Sequence, residues 1–295
     1  MKTRRLFNKL ILLSSFAAIM LNNELFPQGT DSRRAIENKN KFYIGINITP
    51  QQTDILNEGF SSALSVTGGN ALNISVDAAY YFSKFIGAGL GAGFSPYSTQ
   101  IDLAAYNASY DAVDNDTPPE EYSMLISGSS ISESQKISFI SIPVRLAFRI
   151  PAGNKLGFFL NGGVSIEVPV IKTFEGTGVF TYKGYYEQYP VTLENIPEYG
   201  FVNNYQTNVS GDLEVNSLNF ALNASGGLFV YLGTSFQISL GASFIKSLTG
   251  ISGYADNQEF LITSVKDQMY SIMGGSTKTG IQALGISLGV RYFLK

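Results

Sequence analysis

The 295-residue chain contains no cysteine, no histidine and no tryptophan. Without Cys or His, the common zinc, copper and iron ligand sets cannot be built, and no metal or cofactor is expected. A Ser-His-Asp triad and a Cys-His pair are excluded for the same reason. Charge is scarce as well, at 15% of residues. No basic patch of the kind that binds nucleic acid is visible, so nucleic acid is not an expected partner. Beyond the N-terminus, no segment has the length and apolar continuity of a membrane-spanning helix, which needs roughly 20 residues.

The first forty residues read differently from the rest. Lys2, Arg4, Arg5 and Lys9 form a basic head, and Leu10 to Leu21 is an unbroken run of apolar and small residues. The run is too short for a spanning helix; a basic head before a short apolar core describes a secretory signal. A short buried helix or membrane anchor is the plain alternative. The expected organisation is a signal over residues 1–29, cut between Asn22 and Gly29, a periplasmic segment over 30–40 and one domain over 41–295. From Lys41 onward 13 basic residues stand against 20 acidic ones, so the body of the chain carries about −7. A secreted chain without disulfides must draw its stability from elsewhere, and a closed ladder of backbone hydrogen bonds would supply it.

What is abundant is alternation. Leu284, Ile286, Leu288, Val290 and Tyr292 share one face of a period-two run, and Ala283, Gly285, Ser287, Gly289 and Arg291 share the other. Period two is the signature of a strand. The bulky face suits lipid; the small face suits a narrow interior. Seven more runs repeat the pattern, beginning near Phe42, Asn73, Ile86, Ile140, Leu156, Leu218 and Phe236. Phe159 interrupts the small face of its run. Eight strands of roughly 9–11 residues predict an all-β fold, an eight-stranded antiparallel up-and-down transmembrane barrel.

The connections alternate in length. Ser83–Phe85, Pro151–Lys155 and Leu232–Thr234 are short; Thr49–Leu72, Ser95–Lys136, Ile171–Asn216 and Ser247–Thr279 are long. Short periplasmic turns and long extracellular loops are the asymmetry expected of such a barrel. The long connections also carry the acid: Asp102, Asp111, Asp114, Asp116, Glu120, Glu121 and Glu133 fall between Ser95 and Gln135 with no Lys or Arg.

The stretch Ile137 to Val170, with Ile142-Pro143 in one strand and Gly162-Gly163 in the next, resembles the Bacteroidetes-type outer-membrane β-barrel family, a porin-like or OmpA-like eight-stranded barrel. Asn219 to Gly250 and the ending LGISLGVRYFLK resemble further parts of it. The resemblance implies a fold and an outer-membrane location, with lipid, lipopolysaccharide and the barrel-assembly machinery as partners. It implies no chemistry, because one fold hosts many functions.

Three candidate features remain. Asp77, Arg145, Arg149, Glu167 and Arg291 fall on the small-residue faces, and alternation aims them at the barrel axis. They read either as a lumen charge network that plugs the interior or as the lining of an ion path. Buried charges need partners, so Glu167 is expected to bond Arg145 or Arg149 on the adjoining strand. The acidic stretch Asp111 to Glu121 could offer oxygen ligands to calcium, but it lacks the EF-hand register and reads better as solvated surface. Tyr182, Tyr185, Tyr186, Tyr189, Tyr199 and Tyr205 form a possible surface recognition patch, tyrosine giving rigid contact area with a polar tip. Loop packing is the alternative. These features predict a non-enzymatic surface barrel whose loops bind a partner or extracellular ligand. A small transport component or narrow channel comes second, and a soluble lipocalin-like carrier third.

Overall fold

A computed structural model describes residues 41–59, 64–153, 155–255 and 261–294, all within one compact unit. The expected signal and periplasmic segment lie outside these residues. Among the described residues there are ten strands: β1 (Phe42–Glu58), β2 (Leu64–Tyr81), β3 (Ile86–Val113), β4 (Glu121–Ala152), β5 (Leu156–Tyr186), β6 (Val191–Leu193), β7 (Tyr205–Asp212), β8 (Asn219–Leu232), β9 (Phe236–Ser247) and β10 (Lys278–Leu294). Every pairing is antiparallel. β1 to β5 pair in sequence, β5 pairs β8, β8 to β10 pair in sequence, and β10 returns to β1. Eight strands therefore close into an up-and-down barrel. The small strands β6 and β7 pair only with the upper part of β5.

Two of the three short connections are tight turns at 82–85 and 233–235, the second turning on Gly233 with positive φ; Gly153, just after β4, has positive φ as well. The four long connections are shorter than expected. β3, β4 and β5 have 28, 32 and 31 residues, about three times what a tilted spanning strand requires. Much of Ser95–Lys136 and Ile171–Asn216 is thus strand, and the β3–β4 connection proper is only 114–120. The barrel wall continues as a strand-built extension at the loop end.

Along the turn-end half of the barrel, bulky side chains point outward and stay exposed: Ile44, Ile46, Ile48, Val76, Leu90, Ile142, Val144, Leu146, Leu160, Leu222, Ile238, Ile286 and Leu288 among them. The inward positions are small, polar or aromatic. Above this belt the sides exchange roles. Ile137, Ile131, Ile126 and Met124 of β4 point inward and are buried, while Lys136, Ser129 and Ser127 lie outside. The exchange falls near a register shift, where Ser138 pairs Ile171 but Phe139 pairs Pro169, leaving Val170 as the extra residue of a bulge.

Candidate functional site: the polar lumen and the loop-end extension

The interior is layered, and the layers can be read from the β1–β10 register, which runs from Tyr43↔Phe293 at the turn end to Asn57↔Thr279 at the loop end. The turn end is floored by aromatic rings and one cation. Tyr43 meets Tyr81 at 6.1 Å and Phe293 at 5.5 Å, and Tyr231 meets Phe229 at 5.3 Å and Phe293 at 5.9 Å. The Arg149 guanidinium lies 3.9 Å from the Tyr81 ring centre and donates to Lys84 O at 3.0 Å and Tyr231 Oη at 3.4 Å. A cation over a ring face is attracted by the ring quadrupole, the more so away from water.

Above the floor lies a polar chamber, and the acids and arginines predicted for the lumen do line the interior. Their pairing differs from expectation. Asp77 ion-pairs with Arg145 and accepts from Asn47 Nδ2 at 2.6 Å. Arg291, 2% exposed, sits over the rings of Tyr43 and Phe159. Glu167 bonds neither Arg145 nor Arg149: its carboxylate accepts from the hydroxyls of Ser141 and Ser165. The register explains the correction. Glu167 stands opposite Ser141 on β4, whereas Arg145 stands opposite Gly163 and Arg149 opposite Phe159, so both guanidiniums are at least four residues nearer the turn end. Phe159, which interrupts the small face of its run, fills the lumen between Arg291 and Gly241.

The chamber is roofed by an apolar cluster that includes Ile55, Tyr97, Ile137, Phe139, Phe174, Met273 and Ile281. Tyr97 and Phe139 meet edge to face at 5.8 Å. Sequence reasoning missed this roof because it treated Ser95–Lys136 as loop. The signal was present in Tyr97, Ile101 and Leu103, which continue the alternation of β3 with its apolar side turned inward.

The extension has a second apolar core, with Ile126, Ile131, Phe180, Tyr182, Phe201, Ile262 and Ile272 among its members. Between the two cores Glu133 is fully buried and holds down the β9–β10 connection. It accepts from Ser271 Oγ at 2.6 Å, Ile272 N at 2.7 Å and Gln135 Nε2 at 2.7 Å. Burial pushes its carboxyl above the ordinary carboxylate range, and these three hydrogen bonds pull the other way.

The six tyrosines divide. Tyr182 and Tyr186 are buried and belong to the extension's core, so they leave the expected surface patch; alternation along β5 turns them inward. Tyr182 Oη shares a 2.6 Å hydrogen bond with Thr263. Tyr185 and Tyr205 are half-buried, and Tyr205 donates to Asp267. Tyr189 and Tyr199 are exposed. Three of the six engage the acidic β3–β4 tip itself: Tyr186 donates to Asp114 at 3.1 Å, Tyr189 to Glu120 at 2.7 Å and Tyr199 to Asp116 at 3.0 Å. Asp114 is held below its ordinary pKa, chiefly by the backbone N–H of Glu120. Tyrosines and acids read separately as free surface are therefore each other's partners. Among the described residues, no group of three or more acids stands close enough to hold a metal ion.

No family model matches the chain, and neither does any curated relative. The family suggested by Ile142-Pro143 and Gly162-Gly163 thus stays a resemblance. Among solved structures, the chain is similar to neisserial surface protein A at 8% identity, covering 86% of this chain and 97% of that one with a TM-score of 0.37. It is similar to the outer membrane protein OprG from Pseudomonas aeruginosa at 11% identity, covering 87% and 97%, TM-score 0.38. A third is Ail, the attachment invasion locus protein of Yersinia pestis, at 12% identity, 85% and 99%, TM-score 0.29. At this distance the site is read from this chain's own residues.

Proposed function

We propose that the chain is a non-enzymatic outer-membrane barrel that raises its strand-built extension at the cell surface to bind a partner or ligand. The observation that carries this reading is the exchange of faces along single strands: apolar residues outward in the turn-end half, inward in the extension. A belt of exposed Ile, Leu, Val and Phe suits hydrocarbon, because the closed ladder leaves no backbone group unpaired there. An extension with its own buried core and a largely polar outside, with Val113 and Leu125 among the exceptions, suits water. Strand pairing and a buried core order its surface in advance, and such a surface loses little entropy on binding. The exposed Tyr189 and Tyr199 beside Glu120 and Asp116 are the groups best placed to meet a partner. Outer-membrane lipid and lipopolysaccharide would surround the belt, and the assembly machinery would insert it.

The reading as a narrow channel draws on the polar chamber, but rings close the lumen below it and apolar side chains close it above. Single-channel recording of the full chain in planar bilayers tests the choice. A closed baseline is expected; a steady open current would move the function to transport. Membrane fractionation with external protease tests the location: cleavage confined to the 114–120 tip in intact cells is expected, and full protection would reverse the orientation.

A further inference from the structure

The chamber between floor and roof has a volume of about 100 Å³, and its wall is largely hydroxyl and amide. A cavity with walls of this kind holds polar occupants rather than standing dry. Its charges are unevenly placed. Toward the turn end three guanidiniums, Arg145, Arg149 and Arg291, share one carboxylate, Asp77, which already serves Arg145 and Asn47. Glu167 lies toward the loop end and is engaged by two serine hydroxyls. Arg149 is satisfied at the floor. Arg291 has no ion-pair partner among the described residues; ring centres at 5.0 and 5.2 Å are its neighbours. Asp77 stands across Gly45 from Arg291 on the same rung, but one carboxylate among three guanidiniums leaves positive charge uncompensated in the interior, which is costly.

The unmatched hydrogen-bonding atoms lean the same way. Among residues lining the chamber, the buried Nε atoms of Arg145 and Arg291, Nε2 of Gln51 and Nδ2 of Asn223 have no protein partner, against one acceptor, Oδ1 of Asn161; just below the lining, Oε1 of Gln237, opposite Arg291, and the Tyr43 hydroxyl are also unmatched. Amide groups can be turned round, but a guanidinium N–H only donates. The wall thus offers donors and net positive charge together, at the level of Arg145 and Arg291. Water would supply lone pairs without charge; an anion supplies both.

We propose that the chamber is an anion-binding site that takes a small inorganic anion of the size of chloride beside the guanidiniums of Arg145 and Arg291. The ring floor and the apolar roof exclude anything as large as a lipid headgroup. The ion enters as the barrel folds or when the roof opens transiently.

The full chain, refolded in detergent micelles, is melted in sodium chloride and in sodium gluconate at matched ionic strength, gluconate being too large for the chamber. Wild type should show a melting midpoint that rises with chloride and saturates, as a ligand of the folded state requires. Arg291→Gln should weaken the half-saturating concentration at least tenfold. Equal midpoints in the two salts for wild type, or a full chloride response in Arg291→Gln, would overturn the proposal. Should that variant not fold, wild type crystallised in sodium bromide decides. An anomalous peak within hydrogen-bonding distance of Arg145 or Arg291 supports the site, and a chamber without bromide overturns it.

Discussion

The lower and upper halves of β4 use the same period-two alternation for opposite ends. Near Ile142 the bulky residues face out and Ser141 and Arg145 face in; near Ile126 the buried Met124 and Ile126 face in and Ser127 faces out, with Leu125 the one bulky residue beside them on the outer face. The strand runs on through two register shifts, at Ser129/Ser132 and Ser138/Phe139, and on the proposed reading the difference in apolar side lies in the solvent outside. Lipid outside would reward apolar side chains there and leave the lumen to small and polar groups. Water outside would reverse the preference and let the interior become a core. Alternation alone reports a strand; only its phase reports the surroundings.

Perturbations should sharpen this contrast, beginning with the largest. Phe180 is fully buried in the extension's core. Phe180→Ala should cost about 3–5 kcal/mol of local stability, read as faster proteolysis of the extension while the belt strands keep their hydrogen-exchange protection. Loss of protection throughout the barrel would mean that the halves are one cooperative unit. Ile142→Arg places a charge on the outer face of the belt and should cost about 2–4 kcal/mol if that face meets hydrocarbon. Ser127→Arg, on the outer face of the same strand in the extension, should leave urea unfolding in lipid vesicles unchanged. Equal effects would erase the distinction.

Glu133 gives a smaller and pH-dependent effect. A carboxyl whose folded-state pKa is raised binds its proton more tightly when folded. Its contribution to stability is therefore full below the ordinary value of 4.5 and is lost as pH rises through the raised one. The β9–β10 connection should accordingly exchange amide hydrogens more readily as pH climbs through that window, after correction for intrinsic rates. Glu133→Gln should flatten the dependence. A profile that survives the substitution would point to another group. Smallest of all, Tyr199→Phe removes a hydrogen bond at an exposed tip and should leave the melting midpoint where it was.

Much of the barrel was legible in the sequence because lipid-facing alternation is repetitive: the eight wall strands, two tight turns and the inward side of Asp77, Arg145, Arg149, Glu167 and Arg291 all follow from it. The partners of those charges were not, since a face does not fix a depth. Glu167 and Arg149 share a face but stand eight residues apart in register, Glu167 opposite Ser141. The extension was hidden for a different reason. Its alternation runs with inverted phase and is interrupted by bulges, so Tyr97, Ile126 and Tyr182 read as loop or surface. The bonds from Tyr186, Tyr189 and Tyr199 to the acidic tip span 69 to 83 residues, a separation at which local patterning carries no information.

The most direct test uses the natural absence of cysteine. Single cysteines at Ile142, Ser141, Leu125 and Ser127, two neighbouring pairs on β4, are probed in lipid vesicles with a lipid-soluble maleimide and with a charged, membrane-impermeant one. Lipid-phase labelling is expected at Ile142 alone, aqueous labelling at Leu125 and Ser127, which both face outward in the extension, and slow labelling by either reagent at Ser141. Aqueous labelling at Ile142 matching that at Ser127 would contradict the exchange of solvent along the strand and, with it, the barrel's place in a membrane.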